Sequence, residues 1–293
     1  MPGARLRSYR LGDRSELLVE HLLAGIAYTT RVPRQEDIGI DFLCSLITGN
    51  EEDNLLRAGP FFAVQAKSSA DPIIYKKPHE LEWIKNQENP ILLCVADRDN
   101  AAMDVYSTWN LLCGILGGAS GGTITPSSIT LRPGKTGTTW PGVEDGPNCS
   151  QEILLGKPII QIRHEDIFNE SSTRRISDVL RAWVALDRIN IVRRQAGLYF
   201  VEGPPAYQTG EPPQQLATAS YWNPQNLEIC TKNLTLAATS LWNVLRHPQI
   251  SMKADVNQSP WIEGSKALRD LLRWCEVMEP KLRGFVRGLE DEP

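Results

Sequence analysis

Asp37-Ile38-Gly39-Ile40-Asp41-Phe42-Leu43-Cys44 is followed, after a polar connection, by Pro60-Phe61-Phe62-Ala63-Val64-Gln65-Ala66-Lys67-Ser68. Both segments carry the period of two that marks a strand. In the first, Ile38, Ile40, Phe42 and Cys44 share one side, and Gly39, Asp41 and Leu43 share the other. In the second, Ala63, Gln65 and Lys67 point the same way. The expected strands are 38–47 and 60–68. If they pair through Thr48–Gly59, Asp41 and Gln65 converge. Gly39 lets a backbone or ligand approach closely.

Working outward, residues 14–27 predict an amphipathic helix, with Leu18, Val19, Leu22, Leu23 and Ile26 at helical spacing. Residues 78–87 predict a second helix, with Pro78 in its first turn. Pro90–Asp97 is a continuous apolar run suited to a strand covered on both faces. Met103–Ser107 is its expected antiparallel neighbour, and 108–116 a short helix. This order predicts an α/β protein with a central mixed sheet flanked by helices. Residues 117–150 read as loop or weak strands, with 128–132 the best strand candidate, and 151–163 as strand. A P-loop at Gly134-Lys135-Thr136 fails, because Ile129 stands where its first glycine is needed. From 171 to 293 the pattern is mainly helical, over 174–195, 224–246 and 264–287, with a proline-rich surface loop at 203–213. The expected division is 1–170 and 171–293.

The 293 residues carry a net charge of −4. A nucleic-acid-binding domain usually has a basic excess, so such a role here requires a local basic face or a partner. No apolar run approaches the roughly 18–20 residues that cross a bilayer. Met1–Arg14 has four arginines and no signal-type apolar core. No membrane association and a cytoplasmic location are expected. The six cysteines are scattered without a C-x-x-C, which argues against a zinc site or a disulfide framework.

Chemistry concentrates near the two opening strands. Mg2+ takes oxygen ligands and retains several waters. Asp41 would be its anchoring carboxylate, with the Gln65 amide oxygen and the Ala66 carbonyl beside it. Glu16, at the edge of the first helix's apolar face, would contribute directly or through water, with Glu20 as the alternative. Lys67 would orient or deprotonate the attacking water, or neutralise phosphate charge. Each residue has a plainer role. Asp13-Arg14-Ser15-Glu16 fits a capping box, Asp37 a turn, Asp41 with Lys67 an ion pair, and Gln65 a solvated strand face. His21 and His79 read as surface or packing residues.

Helix glutamate, D-x-G-x-D, then Q-x-K resembles the PD-(D/E)xK nuclease superfamily, in particular Mrr-type restriction endonucleases and related uncharacterised bacterial defence domains. The resemblance covers roughly residues 10–107. It implies a restriction-endonuclease-like core, with the metal ligand at Asp41, the Q-x-K variant at Gln65 and Lys67, and the helix acid at Glu16. The implied activity is that of a Mg2+-dependent endonuclease, with Mn2+ a possible substitute, acting on DNA ahead of RNA in anti-phage or restriction-type defence. The alternative is a non-catalytic nuclease-fold subunit of a multi-protein defence complex. A homo-oligomer or a partner protein is expected either way. Lys76, Lys77 and the helical stripe Arg174, Arg181, Arg188 are candidate phosphate contacts. The plainer roles are a solvated basic turn and a solvent-facing helix with Asp178 and Asp187 as partners.

Overall fold

The computed structural model describes residues 7–33, 39–50, 55–111, 126–134, 142–145, 150–195, 200–204, 206–214 and 216–220. The chain falls into two compact units, Met1–Val192 with Phe200–Ser220, and Arg193–Tyr199 with Tyr221–Pro293. The elements below lie in the first unit, apart from the last turn of its longest helix. The helices expected over 224–246 and 264–287 fall outside the described residues.

The chain opens with α1 (Arg7–Ala24), β1 (Ala27–Arg31), β2 (Phe42–Asn50), β3 (Leu55–Lys67), β4 (Ile73–Tyr75), α2 (Pro78–Lys85), β5 (Ile91–Asp97) and β6 (Ala102–Ser107). It continues with β7 (Ser128–Pro133), β8 (Gly142–Asp145), β9 (Ser150–Gly156), β10 (Ile160–Arg163), a 3-10 turn (His164–Phe168), α3 (Glu170–Gln195), β11 (Phe200–Gly203) and β12 (Ala217–Ser220). The protein is α/β. Its described strands form a mixed six-stranded sheet ordered β1-β2-β3-β5-β6-β10, a second sheet ordered β4-β7-β9-β8, and the pair β11-β12. Within the large sheet only β3 and β5 run parallel, and the crossover between them contains β4 and α2.

Strand alternation sorts the core. Phe42, Cys44, Leu46, Phe62, Val64, Leu92, Cys94, Met103, Val105, Ile160 and Ile162 pack on one face with Val19, Leu22, Leu23 and Ile26 of α1. Ile176, Val179, Leu180, Trp183 and Val184 of α3 complete that core. On the other face Leu93, Val95 and Tyr106 pack with Ile84 of α2 and with Ile73, Tyr75, Ile129, Leu131, Ile153 and Leu155 of the second sheet. β5 is thus covered on both faces, which is why its sequence is an unbroken apolar run. Each fully buried Val, Leu, Ile or Phe contributes roughly 1.5–3 kcal/mol.

Several expectations change. The first helix starts at Arg7 rather than 14. β1 was not expected, because Ala-Tyr-Thr-Thr-Arg has too few apolar residues to show a core face. The connection at 48–59 is partly strand, since the β2–β3 ladder continues through Ile47–Ala58 to Asn50–Leu55 past an irregularity at Ser45–Ile47. The single strand expected over 151–163 is two strands in two sheets. Lys157-Pro158 separates them, and proline cannot continue the ladder. The loop at 203–213 is not all surface: Tyr207 is buried, and its hydroxyl donates to the carbonyls of Leu155 and Lys157. The division expected near residue 170 falls at the start of α3, a helix whose apolar side lies inside the first core. No helix among the described residues is long and apolar enough to cross a membrane.

Candidate active site

Asp41 stands immediately before β2, held by main-chain bonds on both sides. Its N–H donates to the Val64 carbonyl at 2.9 Å, and its carbonyl accepts the Val32 N–H at 2.9 Å. The Phe42–Val64 register, continued by one residue, sets Asp41 opposite Gln65. The carboxylate oxygen Oδ2 accepts the Ala66 N–H at 2.7 Å. This brings the strand acid to the Gln-Ala-Lys end of β3, as strand alternation predicts. Its charge also reaches β5, where the Cys94 thiol is pushed up by burial first, then by Cys44 and Asp41.

Lys67 ends β3 opposite Val95 and is half-buried. It enters no ion pair among the described residues. The Asp41–Lys67 salt bridge therefore does not form, and the main chain of Ala66 takes part of its place. Gln65 is not simply on a solvated face, because its Oε1 accepts the Tyr75 hydroxyl at 3.2 Å. Burial pushes the Tyr75 phenol up to about 12; the Gln65 hydrogen bond partly offsets this, and the charge of Glu80 adds to it. Tyr75 therefore remains protonated and holds the Gln65 amide throughout the neutral range.

Gly39 adopts φ +77, and a Cβ there would sit 3.3 Å from the Trp83 ring of α2. The Tyr75 and Trp83 rings lie 6.2 Å apart and tilted by 32°. Trp83 thus lies against Gly39, and Tyr75 against the Gln65 amide. Sequence reasoning missed Trp83, whose only advance signal was a helical pattern, and read Tyr75 only with Lys76 and Lys77 as a phosphate contact, not as a partner of Gln65. Gly39→Ala is expected to cost about 1–2 kcal/mol, the penalty for an L side chain in the left-handed region. Urea unfolding against wild type checks this, and an unchanged midpoint would refute it.

On α1, the capping-box role for Glu16 disappears because Asp13 lies well inside a helix that begins at Arg7. Glu20 pairs with Arg31 at 2.6 Å, a partly exposed bridge worth at most about 1 kcal/mol. Glu20 is thereby the weaker helix acid. α1, however, covers the face bearing Phe62 and Val64, whereas Gln65 and Lys67 alternate to the other. Glu16 would reach the site only around the end of the sheet.

The phosphate-contact candidates divide between layers. Lys76 and Lys77 directly follow Tyr75, on the Gln65 side. Their N–H groups donate to Glu80 at 3.0 Å each, and the Lys77 ammonium lies 3.2 Å from the same carboxylate. These main-chain bonds, from Lys77 and then Lys76, hold the Glu80 carboxyl down at about 2. Arg174, Arg181 and Arg188 belong to α3, on the opposite layer, and Arg181 pairs with Asp178 at 2.7 Å. Asp187, expected as a surface partner of that stripe, is only 3% exposed, because it falls on the apolar side of α3 beside Leu186 and Asn190.

Among the described residues no group of three or more His, Cys, Asp or Glu side chains is placed to hold a metal ion. The donors at the end of β3 are a carboxylate and an amide oxygen, beside the Ala66 main chain. That all-oxygen set suits Mg2+ or Mn2+, which keep most of their waters, and does not suit Zn2+. The Gln65 oxygen has a second lone pair beyond the one facing Tyr75. Compared with known proteins, the chain matches no family model, no curated protein and no solved structure.

Proposed function

We propose that this protein is a Mg2+-dependent endonuclease of restriction-endonuclease-like fold, with a mainly helical C-terminal region, cutting DNA ahead of RNA in a bacterial anti-phage or restriction-type role. The observation that carries the reading is the 2.7 Å bond from Ala66 N–H to Asp41 Oδ2, which gathers Asp41, Gln65 and Lys67 at one end of the sheet. The element order supports it: a helix, antiparallel strands, then a crossover helix leading to a parallel strand. Asp41, Gln65 and the Ala66 carbonyl would hold the cation, with Glu16 completing the set. Bound Mg2+ supplies Lewis acidity at phosphate and lowers the pKa of its water. Tyr75 fixes the Gln65 amide. Lys67, without an ion pair among the described residues, offers its ammonium to phosphate or to the attacking water. Lys76 and Lys77 would meet the polyanion beside it.

The net charge of −4 favours a second reading, a nuclease-fold scaffold that acts within a multi-protein complex. The test is hydrolysis of single- and double-stranded DNA and RNA with Mg2+, Mn2+ or chelator, comparing wild type with Lys67→Ala. Divalent-dependent cutting that falls about 10²-fold or more in Lys67→Ala supports the enzyme. Equal cutting by both proteins would remove Lys67 from the site. No cutting under any condition, with no Mg2+ or Mn2+ bound, would favour the scaffold.

A further inference from the structure

Two histidines from distant parts of the chain meet. His21 of α1 and His164 of the 3-10 turn are 143 positions apart, yet His21 Nε2 and His164 Nδ1 approach to 3.0 Å. Their rings stack with centroids 5.1 Å apart at 29°. Both residues are exposed. We propose that this pair is a two-imidazole site for a borderline transition-metal ion of the Zn2+, Ni2+ or Cu2+ class.

Without metal, the contact is a hydrogen bond between the two rings, one nitrogen donating and the other accepting. A metal needs both lone pairs turned inward, which a shift of one ring's proton to its other nitrogen provides. Two nitrogens about 2.0–2.1 Å from a tetrahedral ion stand about 3.3–3.4 Å apart. The observed 3.0 Å therefore needs an opening of a few tenths of an ångström and a turn of the rings that aims both lone pairs at the ion. His164 is braced for this: its main-chain N–H donates to the Ala101 carbonyl at 3.0 Å, and Phe168 meets its ring edge-on at 5.0 Å. The neighbouring cation is already engaged, since Arg163 contacts Glu165 at 3.6 Å and Gln161 at 3.3 Å. Among the described residues no third His, Cys, Asp or Glu joins the pair, so water completes the coordination. Imidazole pairs select ions of this class over Mg2+, which separates this site from the one at Asp41. Bound metal would tie the end of α1 to the turn after β10.

The experiment is calorimetric titration of the full chain with ZnCl2 and NiCl2, comparing wild type with His21→Gln and His164→Gln, whose amides can keep the hydrogen bond. Wild type is expected to take up one equivalent that both variants lose, with affinity falling by more than the roughly 10- to 100-fold that removal of an outer partner costs. MgCl2 gives no signal that either variant loses. Cu2+ electron paramagnetic resonance on wild type, which needs no variant to fold, is expected to read two imidazole nitrogens. Metal uptake unchanged in both variants, absent in wild type, or Cu2+ spectra without imidazole nitrogen would overturn the proposal.

Discussion

Asp41→Asn is expected to reduce divalent-dependent cleavage by about 10²- to 10³-fold, the scale on which a preorganised electrostatic group acts, while leaving the fold nearly as stable as wild type. The asparagine oxygen can still accept the Ala66 N–H that now reaches Oδ2 at 2.7 Å. What it loses is the charge that anchors a hard cation. Asp41→Ala should be equally inactive but also less stable, by about 1–3 kcal/mol, because it strips a part-buried main-chain donor of its partner. Cleavage rates and urea unfolding on both variants separate the two roles. If Asp41→Asn cuts at the wild-type rate, Asp41 is a structural acceptor only and the metal assignment is wrong. If it is inactive and unstable to the same degree as Asp41→Ala, the carboxylate's role in architecture dominates and the loss of activity says nothing about a metal.

Strand periodicity carried much of this site. The alternation in DIGIDFLC and FFAVQAK was enough to put Asp41 beside the Gln-Ala-Lys end of β3, since a period of two fixes the face and hydrophobic burial fixes the register. It could not say what each polar group would choose as partner. The Asp41 carboxylate turned to a main-chain N–H rather than to Lys67. Gln65 turned to Tyr75, on a strand of three residues too short to show any period. Glu16 illustrates a different limit. A capping box and a helix-interior glutamate have the same local sequence, and only the position of the helix start, set by residues before Asp13, distinguishes them. The α/β class was legible from the order of periodic segments. The second sheet was not, because its strands are short, lie among Gly-, Pro- and Thr-rich stretches, and pair across long separations, as β4 does with β7.

Trp183→Ala should be the most destabilising single substitution proposed for this chain, at about 3–5 kcal/mol. Trp183 is 0% exposed and, among the described residues, the largest of the fully buried side chains. Its removal empties a large volume between α3 and the sheet. It also breaks the bond from its indole N–H to the Glu211 carbonyl at 3.3 Å and the edge-on contact with Tyr207 at 4.9 Å. That is a large share of the 5–15 kcal/mol that holds an ordinary domain folded. In a unit of about 200 residues it corresponds to a fall in Tm of roughly 6–20 °C. The outcome also decides where the helical region begins. With α3 built into the core shared by Phe42, Phe62 and Leu92, the transition that reports on the sheet should move as a whole. If that transition stays in place and only a separate one shifts, α3 belongs energetically with the residues after it, and the division near residue 170 stands. Trp183→Phe keeps most of the volume, loses the N–H donor and should fall between the two. That intermediate value sets the polar loss at Glu211 apart from the cavity.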